Sequence, residues 1–88
     1  MTKTLQLRSV KTETSRKIAQ SIGKNVSRIR LERGLTKLDF ANKLGISEPL
    51  YLSIEAGRSN LTIQTIGGIA EHLRVSAVGL VLDPEKIY

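Results

Sequence analysis

The sequence contains no cysteine and no tryptophan, and only three of its 88 residues are aromatic. Without cysteine there is neither a disulfide framework nor a thiolate metal site, so a chain this short must gain its stability from helix packing, dimerisation or both. No apolar run approaches the roughly 20 residues that span a bilayer, and the first residues lack the apolar core of a signal peptide. We therefore expect one soluble, cytoplasmic domain with no membrane partner.

Residue types that carry catalysis or bind metals are sparse. His72 is the only histidine, so it has no second histidine and no cysteine with which to form a metal site. The serines and aspartates are scattered without the context of a catalytic triad. We expect no enzyme, no cofactor and no metal, and interpret His72 as a solvent-facing or capping residue. Gly67 and Gly68, within a predicted helix, either let another backbone approach closely or are simply tolerated.

Positive charge is concentrated in the first part of the chain. The net charge is +6, and residues 1–34 hold nine lysines and arginines against two acidic residues. Residues 35–88 hold five basic and six acidic residues. An excess confined to one segment is typical of proteins that bind a polyanion. The distribution favours a nucleic-acid partner over the alternative that the charge serves solubility alone.

The apolar pattern divides the chain into an arm, a domain and a tail. Residues 1–14, which include Lys3, Arg8 and Lys11, have no clear period, and we expect a basic arm that is disordered or forms a short strand. From residue 15 onward, apolar residues at three- and four-residue spacing predict a long amphipathic helix that stops at Gly34. We assign residues 15–82 to the folded domain and residues 83–88 to a C-terminal tail.

Two short helices joined by a tight turn are predicted next. Thr36 and Asp39 form a capping box, which opens a helix that ends at Gly45. Ser47 caps the following helix, and Gly57 ends it. Because so few residues separate the two helices, they must cross steeply, which is the geometry of a helix-turn-helix unit.

The fold class predicted for the whole chain is all-α with five helices. Thr62 caps the fourth helix. Residues 76–82 leave two alternatives open, since Ser76 is a suitable cap for a fifth short helix, whereas the alternation of Leu80 and Leu82 fits an edge strand. Helix propensity across Val-Gly-Leu-Val is poor, so we lean slightly toward a short C-terminal β-strand.

Many fixed spacings between about residues 22 and 82 match one known family together. They comprise I22-G23-x-x-V26-x-x-I29-R30-x-x-x-G34-L35-T36-x-x-x-F40-A41-x-x-L44-G45-I46-S47, then I54-E55-x-G57-R58, then A70-x-x-L73-x-V75-S76. This pattern resembles the Cro and phage-repressor class of helix-turn-helix proteins, often called the Xre family. The resemblance implies a lambda-repressor-like domain that binds double-stranded DNA. It also implies a structural ion pair between Arg30 and Glu55, which we expect to be mostly buried.

The resemblance further implies which residues contact DNA. The helix that starts at Glu48 is expected to enter the major groove. The expected base contacts are Glu48, Pro49, Leu52 and Ser53, and the expected phosphate contacts are Thr36, Lys37, Arg58, Ser59 and Asn60. Glu48 would accept from a cytosine amino group and Leu52 would pack on a thymine methyl group. The family often has Gln, Arg, Thr or Ser on this face, so either backbone contacts and DNA shape dominate recognition or the face binds a protein.

Three functions remain open. The first is a repressor that binds an inverted repeat as a homodimer. The second is an antitoxin that sequesters a toxin and represses its own operon, since N60-L-T-I-Q-T and the tail are similar to small antitoxins whose C-terminal strand pairs across the dimer. The third is an interaction module without DNA. The most apolar run is expected to form the dimer interface rather than only close the chain's own core. It comprises Val75, Val78, Leu80, Val81 and Leu82.

Overall fold

The computed structural model describes residues 12–85, and within that range the chain forms five α-helices and no strand. They are α1 (Glu13–Glu32), α2 (Lys37–Leu44), α3 (Glu48–Glu55), α4 (Ile63–Leu73) and α5 (Ala77–Val81). The long α1 packs against both α3 and α5, while α2 contacts α3 and α4 contacts α5. The predicted all-α, five-helix class is confirmed. The predicted basic arm lies outside the described residues, except for its last three positions.

The helices begin where hydroxyl side chains cap them. The Thr36 hydroxyl accepts from the backbone N–H of Asp39 at 3.1 Å, and Gly45 ends α2 in the left-handed conformation. The hydroxyls of Ser47 and Thr62 cap α3 and α4 in the same way. These predicted caps are confirmed. α1 starts two residues earlier than its apolar pattern predicts, because Thr12 caps it.

The core is small and takes buried side chains from all five helices. Its largest fully buried side chains are Tyr51, Phe40, Ile22, Ile54, Leu80 and Val26. The rings of Phe40 and Tyr51 meet edge to face, with centroids 5.6 Å apart and planes at 88°, the arrangement that aromatic pairs favour. Because Phe40 lies on α2 and Tyr51 on α3, this contact fixes the two short helices against each other.

The lean toward a C-terminal strand is wrong, because Ala77–Val81 is helical. Ser76 caps the start of this helix. At its other end, the side-chain amide of Asn25 on α1 donates to backbone carbonyls, including that of Leu80 at 2.7 Å and that of Leu82 at 2.8 Å. Carbonyls in the last turn of a helix have no partner within it. A side chain more than fifty residues away in sequence therefore supports a helix that local propensity disfavours.

Helical geometry divides the apolar C-terminal run between core and surface. Leu80 is 1% exposed and belongs to the core of the chain itself, so it is not accessible to a partner. Val78 on α5 and Leu82, the residue that follows this helix, are 64% and 44% exposed. Val75 and Val81 are half-buried against the core. The burial of Leu80 favours the alternative that it closes the chain's own core, and the dimer interface stays a prediction.

The two glycines inside α4 lie in open space. A Cβ atom added at Gly67 or Gly68 would meet no atom within 4 Å. Within residues 12–85 no other backbone approaches them closely, so there they are tolerated rather than required. Among the described residues, no helix is long and apolar enough to cross a membrane.

Candidate nucleic-acid interface

The outward side of α3 presents the residues predicted to read bases. Tyr51 and Ile54 point inward and are 0% and 1% exposed, which turns the opposite side of the helix to solvent. Glu48, Pro49, Leu52 and Ser53 all lie on that side, the first three exposed and Ser53 half-buried. The structure thus brings the four predicted residues to one face, which we call the reading face.

Sequence reasoning missed Leu50, which is 40% exposed. Leu50 and Ser53 are three residues apart on a helix and are therefore neighbours on its surface. Leu52, on the other flank, is 38% exposed. A helical projection of α3 would have found Leu50, since it lies at the edge of the outward side rather than among the inward positions. The reading face therefore carries two leucines.

The residues predicted to contact phosphate border the reading face from two sides. Thr36 and Lys37 stand at the start of α2, and the Lys37 ammonium lies 3.6 Å from a carboxylate oxygen of Glu55 on α3. The loop after α3 holds the second set, Arg58, Ser59 and Asn60. The Ser59 hydroxyl donates to the Ser53 hydroxyl at 2.8 Å, which holds this loop against α3. Both sets remain accessible, since only Ser59 among them is half-buried.

Arg30 and Glu55 are in contact and mostly buried. The Nε of Arg30 donates to Oε2 of Glu55 at 2.9 Å, and the two side chains are 11% and 12% exposed. A second guanidinium nitrogen of Arg30 donates to the backbone carbonyl of Leu35 at 2.8 Å. The Tyr51 hydroxyl also donates to Oε2 of Glu55, at 2.5 Å. One carboxylate at the end of α3 therefore gathers groups from α1, α2 and α3.

The pKa shifts favour an ionised Glu55 carboxylate and a charged Arg30 guanidinium. Burial disfavours a charged Glu55, but the hydrogen bonds from Tyr51 and Arg30, together with the charges of Arg30 and Lys37, outweigh burial and lower the pKa of Glu55. The hydrogen bond to Glu55 raises the pKa of Arg30 against the effect of burial. Burial, then the hydrogen bond to Glu55, raises the pKa of Tyr51. We infer that the carboxylate stays ionised and the phenol stays protonated at neutral pH.

The end of α3 lies directly against α1. A Cβ atom added at Gly23 would stand 2.6 Å from the backbone carbonyl oxygens of Ile54 and Glu55. One turn earlier on α1, Gln20 contacts Gly57 so closely that a Cβ on Gly57 would lie 3.0 Å from it. Only glycine allows this approach, which together with the Arg30–Glu55 pair fixes the pose of α3 relative to α1.

The described residues contain no group of three histidine, cysteine or acidic side chains placed to hold a metal ion. His72 lies on the exposed surface of α4, with its Nδ1 atom 3.0 Å from the carbonyl oxygen of Gly68 one turn earlier. The geometry around α3 offers a surface for recognition, with a mixed reading face and basic or hydroxyl groups beside it.

Comparisons with known proteins agree with this geometry. The sequence profile of the helix-turn-helix family matches residues 26–80. The chain is 40% identical over 65 residues to the HTH-type transcriptional regulator y4dJ of Sinorhizobium fredii, an alignment that covers 74% of this chain and 84% of that protein. A crystal structure of the hypothetical transcription factor NHTF from Neisseria has a similar fold, with a TM-score of 0.73 over 81% of this chain and 80% of that one at 22% identity. The chain therefore belongs to the helix-turn-helix family of the Cro and phage-repressor (Xre) type, a family of DNA-binding transcriptional regulators.

Proposed function

We propose that this protein is a transcriptional repressor that binds an inverted repeat in double-stranded DNA as a homodimer. The observation that carries the proposal is the exposed reading face of α3 between two sets of candidate phosphate contacts. Its base contacts are Glu48, Pro49, Leu52 and Ser53. Its phosphate contacts are Thr36, Lys37, Arg58, Ser59 and Asn60. The role of α2 follows from the free N–H groups and dipole of its first turn, which favour a phosphate.

Binding to DNA is tested by the dependence of affinity on salt. Each phosphate that a protein neutralises adds roughly 0.9 to the slope of log affinity against log salt. Replacing Lys37 with alanine should lower that slope by about 0.9 per protomer. Lys43, at the opposite end of α2, supplies the matched control, and Lys43→Ala should leave the slope unchanged. Equal slopes for both variants and the parent would remove Lys37 from the interface.

A dimer is proposed because one recognition helix contacts too few base pairs for useful selectivity. Two copies related by a two-fold axis read half-sites about 34–36 Å apart. The outer surface of α5 supports the assignment of the interface, since Val78 and Leu82 are large, apolar and 64% and 44% exposed. Val75 and Val81 border them. Contact with a second copy would remove this surface from water.

Sedimentation of the double variant Val78→Asp with Leu82→Asp tests the interface. Because both side chains are exposed in the single chain, we expect the variant to fold, to sediment as a monomer and to bind DNA more weakly. Leu31, which is 63% exposed on α1, gives the control variant Leu31→Asp, expected to remain a dimer. A double variant that sediments as a dimer would place the interface elsewhere.

An antitoxin function is the second candidate. Ile63, within the segment that is similar to small antitoxins, is 89% exposed and is therefore free to contact another protein. The helical α5 weakens the likeness, because such antitoxins pair a C-terminal strand across the dimer. Co-purification with the product of the neighbouring gene, lost in Ile63→Asp, would favour the antitoxin. DNA binding with no such partner would favour the repressor.

A further inference from the structure

The reading face is poor in hydrogen-bond donors. When it is ionised, the Glu48 carboxylate carries acceptors and no donor, and Pro49, Leu50 and Leu52 carry no polar side-chain atoms. The Ser53 hydroxyl is held by Ser59 of the following loop, from which it accepts at 2.8 Å. The face has no arginine, lysine, asparagine or glutamine, the side chains that bind guanine or adenine through two hydrogen bonds. Apart from the O–H donor that Ser53 retains, its capacity for reading bases therefore rests on apolar contact and on one carboxylate.

The major groove offers few groups that match such a face. Guanine presents two acceptors there, which would repel the Glu48 carboxylate, whereas cytosine and adenine present an amino donor. The C5-methyl group of thymine is the apolar group in the groove. Leu50 and Leu52 leave 40% and 38% of their surface in water, and contact with methyl groups would bury it.

We infer that the reading face recognises the C5-methyl groups of pyrimidines, with Leu50 and Leu52 as the specificity-determining residues and Glu48 accepting from a nearby amino group. Thymine is one source of this methyl group. The other is 5-methylcytosine, which carries the methyl and the amino group on one base. The inference rests on the proposed binding of α3 in the major groove, and it names the class of DNA sequence that α3 selects.

The expected size of the effect follows from the burial of one methyl group. Removing a buried group of this size changes affinity about fourfold. A symmetric site bound by two protomers contains each contact twice, so the effect would be squared to roughly fifteenfold. Such a change is measured easily by titration of labelled duplexes.

The experiment begins with selection of duplexes from a random library by the full-length protein at low salt. Selected duplexes are then resynthesised with uracil in place of thymine, which removes only the C5-methyl group, or with 5-methylcytosine in place of cytosine, which adds one. Weaker binding to the uracil duplex by about fourfold or more identifies thymine as the source. Tighter binding to the 5-methylcytosine duplex identifies methylated cytosine.

The double variant Leu50→Ala with Leu52→Ala separates direct contact from changes in DNA shape. In this variant the modified and unmodified duplexes should bind equally, because the side chains that contact the methyl groups are gone. Leu31→Ala, which shortens an exposed leucine on α1, is the control and should keep the full discrimination. Thermal melting of each variant shows that it is folded. A discrimination ratio that persists in the double variant would assign the effect to DNA shape and overturn the inference.

The failures of the inference and of the proposed function are distinct. If selection enriches no sequence and the protein binds no duplex, the proposed function fails. If selected duplexes bind but the thymine, uracil and 5-methylcytosine forms have the same affinity, DNA binding stands and methyl recognition is refuted.

Discussion

Replacing Glu55 with alanine should destabilise the protein severely, because it leaves a buried charge without its partner. In the parent, Glu55 accepts from Arg30 and Tyr51 and lies beside Lys37. Arg30 is buried in the parent, and after the substitution it would keep its hydrogen bond to the carbonyl of Leu35 but lose the one to Glu55. Breaking a buried ion pair by removing one partner costs about 3–5 kcal/mol.

The cost is large relative to the total stability of so small a domain. Domains of ordinary stability have a free energy of unfolding of about 5–15 kcal/mol. For a domain of about 60–100 residues, each kcal/mol of lost stability lowers the melting temperature by about 4–8 °C. We therefore expect Glu55→Ala to melt roughly 12–40 °C below the parent. The lower part of this range is favoured, because the Arg30 side chain is 11% exposed and water can reach it in part.

The assay is thermal unfolding followed by circular dichroism, with Glu32→Ala as the matched control. Glu32 also pairs with an arginine, Arg28, at 3.3 Å, but the two side chains are 62% and 53% exposed. Exposed pairs contribute about 0–1 kcal/mol, so this control should melt within a few degrees of the parent. If Glu55→Ala melts as close to the parent as the control does, the buried pair contributes no more than a surface pair and the reasoning is refuted.

A double variant separates a stranded charge from lost attraction. Arg30→Met combined with Glu55→Leu removes both charges and keeps much of the buried volume. Apolar replacement of a whole buried pair is often neutral or stabilising, so the double variant should melt well above Glu55→Ala. A double variant that is no more stable than the single one would show that the hydrogen bonds of the cluster, rather than the unpaired charge, dominate its contribution.

Because the pKa of Glu55 is lowered in the folded protein, its ionised form adds to the free energy of unfolding at neutral pH. This contribution is lost as the pH falls below about 4.3, the usual glutamate pKa, and on through the lowered pKa. Denaturant titrations across this range should therefore show a smaller loss for Glu55→Gln than for the parent, and equal losses would contradict the shift. Gly23→Ala should destabilise by about 1–3 kcal/mol, since its Cβ would lie 2.6 Å from two carbonyl oxygens of α3. Gly67→Ala, in open space within a helix, should instead stabilise by about 0.5–1 kcal/mol. Thermal melting checks both, since the Gly23 variant should melt below the parent and the Gly67 variant above it. Deleting residues 1–11, which carry three basic residues, should lower the salt dependence of DNA affinity if they contact phosphates, and an unchanged slope would exclude an arm.

Features that depend on local sequence were predictable. The caps at Thr36, Ser47 and Thr62 and the left-handed glycine at Gly45 act within one turn of their own helix, so sequence spacing alone identified α2, α3 and the start of α4. The lean toward a strand at the C-terminus failed for the opposite reason. The amide of Asn25 on α1 supplies the hydrogen bonds that end α5, and no local pattern records a partner so distant in sequence.

The candidate site, too, was predictable only where it depends on local sequence. Helical periodicity was sufficient to place Leu52 and Ser53 on one outward face. The convergence of Tyr51 and Lys37 on Glu55 was not predicted, although Tyr51 and Glu55 are four residues apart on one helix and such pairs face each other. Lys37 reaches the cluster because α2 packs against α3. Predicting its position therefore requires knowledge of how the helices pack, which their order along the sequence does not give.

The two proposed surfaces are coupled through α1. The reading face lies on α3 and the proposed dimer surface on α5, and each of these helices packs against α1. Polar side chains of α1 hold both, since Arg30 binds the end of α3 and Asn25 binds the end of α5. Arg33 adds a hydrogen bond of 2.7 Å to the carbonyl of Leu73 at the end of α4. Half-site spacing in a dimer depends on the distance and angle between reading face and interface, so in the proposed dimer α1, a single helix of 20 residues, would set that spacing.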